Sequence, residues 1–400
     1  MKIIFLTLLD FQSYSDRNIY CDLLREFIKN GHEVYCISPA EKRTGIETHF
    51  EENGRLLKLK IGNTQKTNIV EKGISTMLIE PQFVSAVKKY FANIKFDFVL
   101  YSTPPITFAN AVSYIKKRDG AKTYLMLKDI FPQNAVDLGM MKTNGFKSLI
   151  YKYFRKKEKE LYALSDCIGC MSPENVNYIL KHNPEIEPEK VEVCPNCIDV
   201  IDMRIEESEK VEIRKKYEIP LDKKVFVYGG NLGKPQGVSY IIKCLKAQLK
   251  NLNAYFLIVG DGTEFSKLEK FFYEAKPQNM RLLKKLPKED YDKLVAACDI
   301  GMIFLDYRFT IPNFPSRLLS YMQAGLPVLA CTDKNTDVGK VIVDGGFGWW
   351  CESNNVKDFN ICIDEILSEK TNKGIFGYKF LKNMYSTEKA YSIIIKSNVK

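Results

Sequence analysis

No stretch of this 400-residue chain is long and apolar enough to cross a bilayer, which excludes a helical membrane span. The amino end, Met1-Lys-Ile-Ile-Phe-Leu-Thr-Leu-Leu-Asp10, lacks a small-residue cleavage site, and Asp10 cuts its apolar run short. A buried first strand fits these residues better than a signal peptide. A massed basic tail is missing too. Lysines and arginines are dispersed among aromatics and helices, with no recognisable nucleic-acid module, so nucleic acid ranks low as a partner. These absences leave a globular protein expected in the cytoplasm. Lys plus Arg exceed Asp plus Glu by ten, which favours anionic partners such as phosphates or an acidic membrane surface. A hydrophobic content of 45% over this length is ample for two cores.

Eleven cysteines are present. Cys167-Ile-Gly-Cys170 and Cys194-Pro-Asn-Cys197 formally spell a zinc-ribbon spacing. Asp166–Met171 and Lys190–Cys194 nevertheless read as strands, and residues three apart on a strand face opposite sides. Neither pair can grip one ion without a tight turn, so buried reduced thiols are expected in place of zinc.

From Met1 onward, apolar runs alternate with amphipathic helices, the mark of doubly wound parallel sheets. Ser15 to Lys29 is predicted as a helix with its stripe on Ile19, Leu23, Leu24, Phe27 and Ile28, and Gly31–Ile37 as the next strand. His32 reads as a packing or capping residue. Residues 41–75 are polar and weakly periodic, an insertion of loops and short strands. Phe96–Tyr101 is a strand ending in the rigid turn Ser102-Thr-Pro-Pro-Ile106. Lys122–Pro132 is another, with Asp129 just past its carboxyl end, the edge where open parallel sheets take ligands. Asp129 is a general-base or acceptor-orienting candidate, the alternative being a turn or helix cap. Gly145–Tyr162 is a helix rich in lysine and aromatics, suited to a membrane surface or equally to a solvated basic face.

A polar stretch through Lys216 marks the domain boundary. Lys224-Val-Phe-Val-Tyr-Gly-Gly-Asn-Leu-Gly-Lys-Pro-Gln-Gly237 then reads as strand, glycine-rich loop and helix, a loop whose backbone N–H groups can approach an anion. Ala254–Gly262 is a strand ending in Gly-Asp-Gly. Arg281–Leu286, an amphipathic helix, and Asp299–Leu305 continue the alternation. Asn313-Phe-Pro-Ser-Arg-Leu-Leu-Ser-Tyr-Met-Gln-Ala-Gly-Leu-Pro-Val-Leu-Ala-Cys331 has the grammar loop, helix, turn, strand. Ser316 can cap that helix, and Arg317 in its first turn suits a phosphate.

Tyr321-Met-Gln-Ala-Gly-Leu-Pro-Val328 resembles the donor-site signature of the retaining, nucleotide-sugar-dependent glycosyltransferases of family 4. Both glutamates of that signature are absent, with Pro312 and Ser320 in their places. Pro-Ser-Arg through Arg317, and Asp-x-Phe-Pro at Asp129, are similar to a subgroup that assembles capsule, O-antigen and exopolysaccharide and includes the L-fucosamine transferases. The family's glycine loop carries two cations that hold a diphosphate. Asn231 and Gln236 stand at those positions, which leaves neutralisation to Arg317 with Lys234 or Lys284.

The resemblance implies the GT-B fold, an α/β architecture of two Rossmann-like doubly wound lobes facing across a cleft. The expected divisions are an acceptor lobe over residues 1–205, a nucleotide-sugar lobe over 206–375, and a C-terminal helix over 376–400 packing back toward the first. It also implies transfer of a sugar from a nucleotide-sugar, presumed UDP-linked, to a lipid-linked or saccharide hydroxyl with retention. Asp129 and Arg317 are the expected catalytic residues. Gly230, Asn231, Gly233, Lys234, Gln236, Gly262, Lys284, Ser316 and Ser320 are expected on the donor, and Asp16, Arg17 and Pro104 on the acceptor side. Asp290-Tyr-Asp292 spells the metal motif of single-lobed transferases, yet it opens a helix, so capping explains it. No metal and no cofactor beyond the nucleotide-sugar substrate are expected. Peripheral contact with the inner face of the membrane accompanies a lipid-linked acceptor. Two other readings remain open: a non-catalytic GT-B scaffold that partners another transferase, and a nucleotide-sugar epimerase.

Overall fold

A computed structural model describes residues 1–64, 67–145 and 148–399. The chain divides into two compact units, Met1–Asp199 with the segment from Thr387 onward, and Val200–Ser386. The division falls six residues before the expected boundary at 205. Helix 374–384, cut by the expected boundary at 375, stays wholly in the second unit.

The first unit runs β1 (Lys2–Leu6), α1 (Ile19–Lys29), β2 (Glu33–Glu41), β3 (His49–Glu51), β4 (Leu56–Ile61), α2 (Ile69–Tyr90), β5 (Phe98–Ser102), α3 (Ala109–Asp119), β6 (Lys122–Leu127), α4 (Gln133–Asp137), α5 (Ser148–Leu164), β7 (Cys167–Cys170), α6 (Pro173–His182) and β8 (Val191–Val193). Its sheet order is β3-β4-β2-β1-β5-β6-β7-β8, parallel throughout except for β3 against β4. The polar insertion therefore supplies two edge strands. The chain first builds outward from β1 through β2, then crosses to β5 on the other side. This puts the topological switch point between β1 and β5.

The second unit runs α7 (Glu207–Lys216), β9 (Lys224–Asn231), α8 (Val238–Ala247), β10 (Ala254–Asp261), α9 (Phe265–Ala275), β11 (Met280–Lys284), α10 (Lys288–Ala296), β12 (Ile300–Phe304), α11 (Arg317–Gln323), β13 (Val328–Thr332), α12 (Val338–Asp344), β14 (Gly348–Glu352), α13 (Val356–Ser368) and α14 (Gly374–Met384). Its all-parallel sheet has the order β11-β10-β9-β12-β13-β14, so the switch point lies between β9 and β12. The last helix, α15 (Thr387–Val399), belongs to the first unit, where Ala390 and Ile394 are buried and Tyr391 packs on Phe27 and His32. His32 also hydrogen-bonds the Tyr391 hydroxyl at 3.0 Å.

Several local expectations are corrected. The first helix begins at Ile19, not Ser15, because Asn18 takes an extended conformation and its side chain accepts from the N–H groups of Tyr20 and Cys21. Asp16 and Arg17 thus lie in the preceding loop, and Ile28 is exposed instead of joining the apolar stripe. The basic helix is described from Ser148; residues 146 and 147 of that expectation lie outside the described residues. All eleven cysteines are free and buried, and no cluster suited to a metal ion occurs among the described residues. Asp290 does not cap α10: it pairs with Lys216 at 3.2 Å, while Asp292 is buried against Lys288 one turn back.

The loop after β1 is pinned from beneath. Lys58 of β4 is fully buried, and its ammonium donates to Asp10, to the Phe11 carbonyl at 2.7 Å and to Ser38 Oγ at 3.1 Å. Removing it strands these acceptors, although Asp10 still reaches water. Lys58→Met is expected to lower unfolding stability by about 1–3 kcal/mol in urea titrations. A change below about 0.5 kcal/mol would show that the loop does not depend on it.

Candidate functional site

The second unit's candidate site forms at its switch point. Residues before Arg317 are irregular, and α11 is only seven residues long. Its first-turn N–H groups are already engaged, Leu318 with the Pro315 carbonyl at 3.2 Å and Leu319 with that of Ser316 at 3.1 Å. Ser316 occupies the cap position in helical conformation, is exposed, and makes no capping hydrogen bond. The expectation of a capped helix end open to a phosphate is therefore corrected: the charge at this point comes from Arg317 itself.

Three tyrosines hold that charge. The Arg317 guanidinium lies over the Tyr228 ring, 4.5 Å from its centroid. Tyr321 is fully buried, donates to the Met302 carbonyl at 3.1 Å and accepts from the Gly229 N–H at 3.2 Å. Tyr291 fills the space beside Gly229. The glycines follow from this crowding. A methyl at Gly229 would stand 1.8 Å from the Tyr291 hydroxyl, one at Gly301 2.4 Å from the Tyr321 ring, and one at Gly230 3.3 Å from Arg317 Nη2. Gly230 also has a φ of +125°, which side-chain-bearing residues avoid. Arg317 Nη1 is buried and has no hydrogen-bond partner. A guanidinium over an aromatic ring, with one nitrogen buried and unpaired at the carboxyl edge of a parallel sheet, has the chemistry to receive an oxyanion.

The glycine loop differs from expectation. The Gln236 carbonyl oxygen accepts from Asn231 Nδ2 and from the Gly233 N–H, each at 3.1 Å. The Leu232 N–H is spent on Asp261, that of Gln236 on Gly233, and that of Gly237 on Lys234. These amides brace the turn and do not form an open anion nest. Asn231 and Gln236 therefore shape the loop, which also docks through the Pro235 carbonyl on the Asp306 N–H at 2.9 Å. Gly262 is needed because a methyl there would lie 2.5 Å from the Leu232 carbonyl oxygen. Lys234 is exposed on the loop, and Lys284 is exposed at the end of β11, in register with Gly260 and, one strand further, Gly230. Ser320 is half-buried one turn after Arg317.

In the first unit, Thr103 organises the acceptor-side candidates. Its hydroxyl accepts from the N–H groups of Lys128 and Asp129 at 2.9 and 3.1 Å and lies 3.1 Å from the Asp129 carbonyl oxygen. This holds Asp129 beside the end of β5, next to exposed Pro104. Asn134 Nδ2 donates to both Asp129 carboxylate oxygens, at 2.7 and 2.8 Å. Burial pushes the Asp129 carboxyl up to about 6, against the opposing pull of Asn134 and with a small addition from Glu158. Asp129 is thus an acid poised near neutrality that also accepts from the Ile130 N–H. Asp16 is committed locally, accepting from the Gln12 N–H at 2.9 Å and, through its carbonyl, from Arg25 at 2.9 Å. Arg17 is exposed in the same loop.

The sequence reading missed Tyr20, Ser102, Lys128 and the three tyrosines. Alternation could have found two of them: Phe98, Leu100 and Ser102 share one face of β5, and Tyr124, Met126 and Lys128 share one face at β6. Lys128 donates to the Cys194 carbonyl at 3.2 Å, and burial lowers its pKa below the usual lysine range.

Comparison with known proteins bears on this geometry. Residues 18–201 match the model for Glycosyltransferase Family 4, and residues 209–384 that for Glycosyl transferases group 1. The chain belongs to these glycosyltransferases. Its two parallel-sheet units are those of solved GT-B structures. The chain is 24% identical over 310 residues to a probable glycosyltransferase, WbjE, of Pseudomonas aeruginosa, covering 77% of this chain and 74% of that one. It is 24% identical over 290 residues to the N-acetylgalactosamine-N,N'-diacetylbacillosaminyl-diphospho-undecaprenol 4-alpha-N-acetylgalactosaminyltransferase of Campylobacter jejuni, covering 71% of each. The Anabaena HepE structure in complex with UDP-glucose superposes with a TM-score of 0.67 at 14% identity, covering 99% of both chains.

The Asp129 pKa has a consequence for this transferase's stability. Its folded value lies above the unfolded value near 3.8, so the unfolded chain releases this proton first as pH rises. Stability is therefore lost between about pH 4 and pH 6 and stays lost above. Asp129→Asn should gain about 1–3 kcal/mol at pH 8 and nothing near pH 4 in urea titrations. Equal gains at both pH values would refute the shift.

Proposed function

We propose that this glycosyltransferase moves a sugar from a UDP-sugar to a hydroxyl of a lipid-linked saccharide during surface-polysaccharide assembly, with retention at the anomeric carbon. The observation that carries the reading is the buried, unpartnered Nη1 of Arg317 beside Gly230. The leaving diphosphate gains charge as the anomeric C–O bond breaks, and a desolvated guanidinium stabilises that charge more than one in water. Lys234 on the loop and Lys284 at the end of β11 are the exposed cations that would add to it. Asp129 takes the proton from the acceptor hydroxyl as its oxygen bonds the anomeric carbon on the same face from which the diphosphate leaves, and the bonding pair departs with UDP. This reading needs no metal, since Arg317 and the two lysines supply the positive charge.

The UDP-glucose complex of HepE supports the choice of donor, and the diphospho-undecaprenol acceptor in the Campylobacter enzyme's name supports a lipid-linked one. Hexosyl or N-acetylhexosaminyl transfer fits both. Arg317→Ala should weaken UDP binding and lower kcat/KM by roughly ten- to a hundredfold, the loss of a charge-assisted contact of about 1.5–3 kcal/mol. Unchanged donor kinetics in a folded variant would remove Arg317 from the site. No thermal shift of the wild type by UDP or any UDP-sugar would favour the scaffold reading.

Contact with an anionic membrane face belongs to the same proposal. Leu149, Ile150 and Tyr153 are exposed at the start of α5, among Lys152 and Lys156. Ile74, Met77 and Leu78 are exposed on one side of α2, a helix tied to α5 through Glu80 and Lys157 at 3.1 Å. Apolar side chains between lysines suit an acidic bilayer surface. Vesicles of phosphatidylglycerol and phosphatidylethanolamine should sediment the protein. Leu149→Ser with Ile150→Ser should weaken that binding by about threefold or more; undiminished sedimentation would discard this surface.

A further inference from the structure

Ser102 ends β5 with its side chain on the face covered by α1. It is 1% exposed, and its hydroxyl makes no well-formed hydrogen bond, with the Tyr20 phenol near enough to interact with it. A buried hydroxyl left unpaired is destabilising, so its presence asks for a reason. Tyr20 covers that face from the first turn of α1, its ring 5.3 Å from that of Phe5, the β1 residue paired with Leu100 two positions before Ser102. Its phenol senses the Ser102 hydroxyl and the Asp129 charge. Burial, opposed by Ser102 and aided by the Asp129 charge, pushes the phenol up to about 12, so it keeps its proton and donates. Thr103, one residue beyond Ser102, holds the Asp129 backbone in the same corner. The corner sits at the switch point between β1 and β5, where a ligand of this sheet is expected.

We propose that Tyr20 is the side chain that binds the acceptor's attacking hydroxyl together with Asp129, and that Ser102 is a positioning residue behind it. The ligand is a sugar hydroxyl. Its oxygen accepts from the Tyr20 phenol while its own proton points at the Asp129 carboxylate. Ser102 Oγ offers the phenol a seat on the side away from the ligand. The inference rests on Asp129 as the acceptor-side carboxylate.

The test measures initial rates with a panel of UDP-hexoses and UDP-N-acetylhexosamines, and an N-acetylhexosamine diphospho-lipid as acceptor. Hydrolysis without acceptor and the thermal shift by UDP are read alongside. Tyr20→Phe keeps the contact with Phe5. It should lower kcat/KM for the acceptor about tenfold, mostly through KM, while leaving the UDP shift unchanged. Ser102→Ala should lower the same acceptor constant about threefold while Tm stays level or rises, because an orphaned hydroxyl is gone. Acceptor kinetics of Tyr20→Phe within twofold of wild type would overturn the proposal. So would a fall in Tm of Ser102→Ala that accompanies its loss of activity, since that marks a structural role. A wild type that neither binds UDP nor releases sugar would instead overturn the transferase reading beneath it.

Discussion

The second unit's candidate site is arranged around one cation with a buried, unpaired nitrogen. Placing a guanidinium away from water costs several kcal/mol unless something compensates. The face of Tyr228 returns part of that, about 2 kcal/mol for a desolvated cation–π contact. The remainder is not met by any carboxylate contacting Arg317 among the described residues. Everything nearby yields to this placement. Gly229, Gly230 and Gly301 are glycines because Tyr291, Arg317 and Tyr321 occupy the volume a side chain would need. Tyr321 then joins β9 to β12 by bonding the backbone of each, across the switch point itself.

The first unit solves a different problem at the same kind of edge. A carboxylate there is held near neutrality, because burial disfavours its charged form. Asn134 limits the effect by donating to both oxygens, so Asp129 settles near neutrality and is not locked in its acid form. Thr103 fixes where the carboxylate begins, and Lys58 holds the loop after β1 that borders the corner. Function and stability pull against each other at Asp129, whose ionised form costs folding energy above pH 6.

Much of this was legible from the chain alone. Alternation of apolar runs with amphipathic helices predicted parallel doubly wound sheets, because side-chain periods of two and near 3.6 differ by eye. Tyr321 to Val328 and the Asp-x-Phe-Pro around Asp129 carried the family. Position past a strand end picked out Asp129 and, with less reason, the glycine loop. The failures share a cause. Ser316 as a cap and Asp290 as a cap were each assigned from local spacing, and each side chain found a different neighbour or none.

Sequence by itself determined the period, the order of elements and the charge available, since these depend on residues close together along the chain. It could place an arginine at the head of a helix but not say whether that arginine met water or aromatic rings. Only the tertiary structure decided this. Tyr228, Tyr291 and Tyr321 come from three separate elements, and the burial of Arg317 Nη1 exists only where their packing excludes solvent.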